Sequence, residues 1–273
     1  MVKRLFKLMG LIYIVMKIIL TKEKPNEVAT HLSSQRIGVP TARRCGMRTM
    51  KQFLSWTLLS LMVVAMVACG DDAKPANLRA VHASADAPNV DVAIDGTVTV
   101  TDLAFQESTG YLEVGSAQRN IQVRATGTTT AVITASPTLN EEGDYTLIAV
   151  GPVASIEPLL LTDDNAAPGA GNVKVRLVHG SPTAGPVDIY VTAADADLNT
   201  TDPTVSNVPF KGVSNYLEVA AGTYRVRITP TGTKTVAIDA TLTLAAGQIR
   251  TAIAVDAPGG GVPLGAIVLE DLN

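Results

Sequence analysis

The sequence predicts an all-β protein with two tandem antiparallel β-sandwich domains. The first observation is a duplication, in which Arg79–Ser84 aligns with Arg176–Ser181 at an offset of 97 residues and later segments align at 105. Repeats of about 100 residues correspond to whole domains. The second observation is a period of two: Ile121 and Val123 alternate with polar neighbours, as half-buried strands do. The duplicated region also lacks sustained helical periodicity.

Turn signals separate the predicted strands. The pair Asp95-Gly96 predicts a tight hairpin, because both residues tolerate positive φ. Seven or eight short strands per copy fit an immunoglobulin-like sandwich. The first domain is assigned to residues 76–165 and the second to 171–273, with about eight extra residues within Thr192–Val205. The Ala-, Pro- and Gly-rich segment 166–170 is typical of a flexible linker, so we expect the domains to behave independently.

A targeting signal is predicted at residues 47–68. Arg48 and Lys51 precede the apolar run Phe53–Val67, which has 15 residues. A membrane span needs about 20 residues, whereas this length is typical of a signal-peptide core. The ending Met-Val-Ala-Cys69 resembles a bacterial lipoprotein signal, which implies cleavage before the cysteine and lipidation of Cys69. The alternatives are an uncleaved membrane anchor and an ordinary signal peptide.

Two segments flank this signal. Residues 69–75 are polar and are interpreted as the lipidated tether. Residues 1–46 are interpreted as an extension from an upstream start codon chosen in error, with Met47 or Met50 as the true start. The alternative, a second membrane helix, is disfavoured by Lys7 and Lys17 within the apolar stretch.

Charge excludes one class of partner. Residues 69–273 carry 11 Lys or Arg and 23 Asp or Glu, a formal net charge of −12. An acidic surface repels phosphate backbones, so nucleic-acid binding is not expected. No cysteine follows Cys69, so no internal disulfide is predicted in the mature chain.

The duplicated motifs support a family resemblance. The segments LRAVHASADAPNVDVAI and VRLVHGSPTAGPVDIYV, with SNYLEVAAGTYRVRITPTG, resemble the bacterial envelope family known as domain of unknown function 4397. The resemblance covers nearly all of residues 76–270, twice over. It implies secreted or surface-anchored β domains, often in tandem, with no established activity. Ala85 departs from the pattern, which has proline there, as at Pro182.

A histidine, a serine and an aspartate recur in both copies. The two sets are His82, Ser84 and Asp91, and His179, Ser181 and Asp188. These residue types suit acyl transfer. However, no Gly-x-Ser-x-Gly elbow exposes the serine and no glycine-rich loop offers an oxyanion hole. We therefore interpret both sets as structural motifs in which His and Ser satisfy backbone groups, with ligand contact as the alternative and no catalytic residues.

Metal and sugar sites are poorly supported by the sequence. One histidine per domain cannot complete a zinc site. The acidic segments around Asp163 and Asp195 offer oxygens that Ca²⁺ prefers but match no calcium loop, so solvated loops are expected, with no metal and no cofactor. Tyr111 and Tyr216 suggest a sugar-binding strip, although a lone strand tyrosine is more often a core-rim residue.

The functional expectation is a non-catalytic envelope lipoprotein that serves as a binding or interaction module. It would contact the membrane through the lipid anchor and bind an envelope protein or a glycan. Because Gly70 rather than aspartate follows Cys69, an outer-membrane or surface location is favoured. The rival hypotheses are a hydrolase that uses the His/Ser/Asp set and a carbohydrate-binding module.

Overall fold

The computed structural model describes residues 73–271. The predicted signal peptide, Cys69 and the residues before them lie outside this range. The described residues belong to one compact unit of the chain. Between residues 73 and 271, no helix combines the length and the apolar composition that crossing a membrane requires.

Strands dominate the described residues. The first half contains β1 (Ala76–His82), β2 (Val90–Ile94), β3 (Thr97–Leu103), β4 (Leu112–Val114), β5 (Ala117–Gln118), β6 (Ile121–Ala125), β7 (Ala131–Ala135), β8 (Thr138–Leu139), β9 (Asp144–Val150) and β10 (Glu157–Asp163). The second half contains β11 (Asn172–His179), β12 (Val187–Ala193), β13 (Val205–Val208), β14 (Leu217–Ala220), β15 (Gly222–Pro230), β16 (Ile238–Leu244), β17 (Ile249–Val255) and β18 (Gly265–Glu270). Short 3-10 turns lie at Val153–Ser155 and Leu198–Thr200.

Each half contains two four-stranded sheets. The strand orders are β10-β9-β1-β4 and β3-β2-β6-β7 in the first half, and β14-β11-β17-β18 and β13-β12-β15-β16 in the second. Most neighbours are antiparallel, but β1 pairs with β9 and β11 with β17 in parallel. An apolar core fills each half, built around residues such as Leu78 and Ile121 in the first and Val173 and Ile189 in the second. The predicted all-β fold is confirmed.

The β2–β3 connection shows how the two copies diverge. In the first half, Asp95 and Gly96 adopt φ values of 50° and 82° and close a tight hairpin, as the sequence predicts. In the second half, the longer β12–β13 connection contains the turn Leu198–Thr200, in which the side chain of Leu198 is buried. The extra residues of the second copy therefore form an ordered cover at the edge of their sheet.

The two halves pack against each other through a third apolar cluster. This cluster combines residues of the first half with those of the second, among them Val81 and Ile148 with Val178 and Ile253. The strand β9 is buried on both faces, which explains its nearly continuous apolar sequence. Segment 166–170 contains no strand, as expected of a linker. The expectation of independent domains is nevertheless wrong, because a buried apolar interface joins them.

Candidate functional site

The side chain of His82 is committed to its own loop. Its Nε2 lies 3.0 Å from the carbonyl oxygen of Pro88, and the backbone N–H of Ser84 donates to its Nδ1 at 3.3 Å. Nδ1 is therefore unprotonated, and Nε2–H donates to the carbonyl. Burial lowers the pKa of His82 below its ordinary value, so the ring is neutral at pH 7. The edge of the Phe105 ring contacts it at a centroid distance of 6.2 Å.

Ser84 and Asp91 have other partners. The hydroxyl of Ser84 donates to the carbonyl of Gly151 at 2.6 Å, which ties the loop after β1 to the residue that ends β9. The carboxylate of Asp91 accepts from the N–H groups of Asp102 and Gly127. These hydrogen bonds lower the pKa of Asp91, and the bond from the N–H of Asp102 has the largest effect. Among residues 73–271, no hydrogen bond joins the side chains of the three candidates to one another.

The second copy repeats this arrangement with two changes. His179 Nε2 lies 2.7 Å from the carbonyl oxygen of Gly185, and burial lowers the pKa of His179. Asp188 accepts from the N–H groups of Asn207 and Gly232, both at 2.8 Å. The first change concerns Ser181, whose hydroxyl donates to the side chain of Asp256 instead of to a backbone carbonyl. The second concerns the buried Nδ1 of His179, which has no hydrogen-bond partner among the described residues.

Asp256 was not singled out by the sequence. It occupies the position of Gly151 at the repeat offset of 105 and is 4% exposed. Its second oxygen accepts from the hydroxyl of Thr183 at 2.6 Å. The sequence signal for this residue is a carboxylate directly after the apolar run Ala252–Val255.

The two motif loops meet at a cleft between the domains. The cleft has a volume of about 220 Å³. Its lining includes Ala85, Asp86 and Gly151 from the first domain and Pro182, Thr183 and Asp256 from the second. The N–H of Gly259 donates to the carbonyl of Ala85 at 2.7 Å and joins the domains beside the cleft. The duplicated motif thus contributes to this concave surface from both sides.

The two acidic segments differ in their outcome, because Asp195 and Asp197 are exposed, as expected of solvated loops, whereas Asp163 is not. Asp163 is buried, and its Oδ1 accepts from the guanidinium of Arg176 at 2.5 Å. Asp197 instead accepts from the N–H of Asn199 and begins the turn Leu198–Thr200. Within the described part of the chain, no three His, Cys, Asp or Glu side chains are grouped closely enough to hold a metal ion.

The two tyrosines proposed for sugar binding take part in a buried polar network. Tyr111 OH donates to Asp163 at 2.6 Å, and Tyr216 OH donates to Asp271 at 3.0 Å. The guanidinium of Arg79 lies 4.7 Å from the centroid of the Tyr111 ring. The pKa of both tyrosines is raised, and burial is the largest cause. Both tyrosines are half-buried, and a guanidinium group lies over one face of each ring.

Comparisons with known proteins place the domain pair in a family. A family model described as a domain of unknown function (DUF4397) matches residues 76–190 and 191–273. Its internal boundary falls within β12, whereas the strand order repeats from β11. No curated protein matches the chain.

Two solved structures show only remote similarity. The TIE protein of Bacillus anthracis is 11% identical, with a TM-score of 0.23, over 67% of this chain and 34% of that protein. A leucine-rich repeat protein from Bacteroides thetaiotaomicron VPI-5482 is 14% identical, with a TM-score of 0.20, over 70% of this chain and 27% of that protein. The chain therefore spans about a third or less of these structures.

Proposed function

The chain belongs to the DUF4397 family, and from this premise we propose that it is a non-catalytic interaction module held at the cell envelope by a lipid on Cys69. Its partner would be an envelope protein or a glycan that enters the cleft between the domains. The observation that carries the proposal is that both copies of the family motif contribute a loop to one concave surface.

Rigidity supports a binding role for this cleft. Buried contacts between the domains hold the two loops in one arrangement before a partner arrives. A preformed surface binds more tightly than a mobile one, because less conformational freedom is lost on association. The cleft also carries the exposed carboxylate of Asp86, which would favour a partner with positive or hydrogen-bond-donating groups.

The motif geometry supports a structural role for His82 and Ser84. A general base must reach the proton that it removes. The Nδ1 of His82 accepts from a backbone N–H, and the hydroxyl of Ser84 donates to Gly151. Both side chains are fully buried, which is the arrangement expected of residues that shape a loop.

Site-specific photocrosslinking in living cells tests the proposal. A photoreactive amino acid at Ala85, in the cleft, should capture one envelope component reproducibly. The same group at Thr99, on an exposed outer strand, is the matched control. Filling the cleft with Pro182→Trp should abolish capture from position 85, whereas Thr99→Trp should leave it unchanged. Equal capture from both positions, or capture that survives Pro182→Trp, would contradict the proposal.

A further inference from the structure

The contact between the domains is built twice from equivalent residues. Arg79 on β1 and Arg176 on β11 are related by the repeat, and each reaches into the other domain. Arg79 Nη2 donates to Asp271 Oδ1 at 2.7 Å, and Arg176 Nη2 donates to Asp163 Oδ1 at 2.5 Å. Within the first domain, Arg79 lies farther from its own Asp163, at 3.8 Å. The close ion pairs therefore cross between domains.

The surrounding polar groups follow the same symmetry. Arg79 Nη1 donates to the carbonyl of Glu270, and Arg176 Nη1 donates to the carbonyl of Thr162. Each guanidinium also donates to a threonine of its own domain, Thr146 or Thr251. The side chains of the two crossed ion pairs are at most 3% exposed.

The apolar part of the contact is also duplicated. Five residues of the first domain have their repeat equivalents among those of the second. The pairs are Val81 with Val178, Ile148 with Ile253, Val150 with Val255, Leu159 with Ile267 and Leu161 with Leu269. We define the paired face of each domain as its own half of this apolar set together with four polar residues. These are Arg79, Tyr111, Thr146 and Asp163 in the first domain, and Arg176, Tyr216, Thr251 and Asp271 in the second.

A contact with this symmetry is self-complementary. In a two-fold interface, the same patch on both partners supplies donor and acceptor alike. Either paired face therefore presents an arginine and an aspartate to any copy of itself. A surface without a matching aspartate would leave an arginine buried and unpaired, which is strongly unfavourable.

We propose that the paired face is a homotypic interaction surface. When the neighbouring domain is out of reach, its partner is the paired face of a second copy of this chain. The linker holds the two faces of one chain at a high effective concentration, so pairing within the chain prevails. This inference is independent of the cleft and its proposed partner.

The test keeps both domains and changes only how far apart they are held. In the unit Gly70–Asn273, four EAAAK repeats replace segment 166–170. A semi-rigid helix of about 30 Å then separates domains whose facing sheets pack about 10 Å apart. A Gly/Ser linker of the same length is the matched control. Light scattering coupled to size-exclusion chromatography gives the mass of each chain.

The chain with the helical linker should associate into discrete species of two or more copies, and the Gly/Ser chain should remain monomeric. Adding Arg79→Gln and Arg176→Gln to the helical-linker chain should weaken association more than about tenfold, with the strand content checked by circular dichroism. A helical-linker chain that stays monomeric up to its solubility limit overturns the proposal. So does aggregation into irregular masses, or association that the two substitutions leave unchanged while the domains remain folded.

Discussion

Arg79 and Asp271 are 192 residues apart in the sequence, and their side chains meet at 2.7 Å in the dry interior between the two domains. Arg79 lies in the middle of β1, the first strand, and Asp271 follows the last strand. One ion pair thus joins the beginning and the end of the described chain.

Replacing Asp271 with Asn should destabilise the protein by about 3–5 kcal/mol. Removing one partner of a buried ion pair leaves the other charge buried without compensation. Urea unfolding of the unit Gly70–Asn273 measures the change. Asp239→Asn is the matched control and should cost at most about 1 kcal/mol, because Asp239 and its partner Arg225 are 40% and 37% exposed. A small effect of Asp271→Asn would show that the crossed pair does not stabilise the contact.

The two domains should unfold in a single thermal transition. Leu78→Ala removes core packing in the first domain only and should cost about 2–5 kcal/mol. Because the domains share a buried interface, the whole calorimetric peak should move to lower temperature without splitting. Leu177→Ala in the second domain should do the same. A second peak at the wild-type temperature in either variant would show that the domains unfold separately.

Stability should fall as the pH decreases below the ordinary histidine pKa of 6.5. Burial lowers the pKa of His82 and His179 in the folded state below the ordinary 6.5. The unfolded chain therefore binds protons in this range that the folded chain does not, so unfolding is favoured at lower pH. His82→Gln and His179→Gln combined should flatten this slope in chemical denaturation series. An equally steep slope in the double variant would exclude the two histidines as its cause.

Cys69 should carry lipid in the mature protein. The prediction rests on the short basic segment, the 15-residue apolar run and the absence of any later cysteine. Metabolic labelling with a fatty-acid analogue should mark the wild-type chain and leave Cys69→Ser unlabelled. Cys45→Ser is the control and should label normally, because Cys45 precedes both the predicted signal peptide and the expected start at Met47 or Met50. Equal labelling of wild type and Cys69→Ser would contradict lipidation at this residue.

The sequence was sufficient for the all-β fold, because duplication and alternation are local patterns. It also contained a sign of the interface: β9 and β17 lack strict alternation, as strands buried on both faces do. Asp163 was interpreted as part of a solvated loop, since acidic side chains beside a linker usually are. Its burial depends on Arg176 in the other domain, and no single-domain pattern specifies a contact between two domains.

The sheet order also determines how the protein would respond to mechanical force. A pull on the residues that precede β1 enters the fold at Ala76, the first residue of β1, which is an inner strand of its sheet. β1 is paired along six consecutive positions with β9 and along three with β4. A force along the strand must shear these pairs together, because none of them can be peeled open one at a time from an edge. Because Arg79 is the fourth residue of β1, the same force would also act on the ion pair between Arg79 and Asp271.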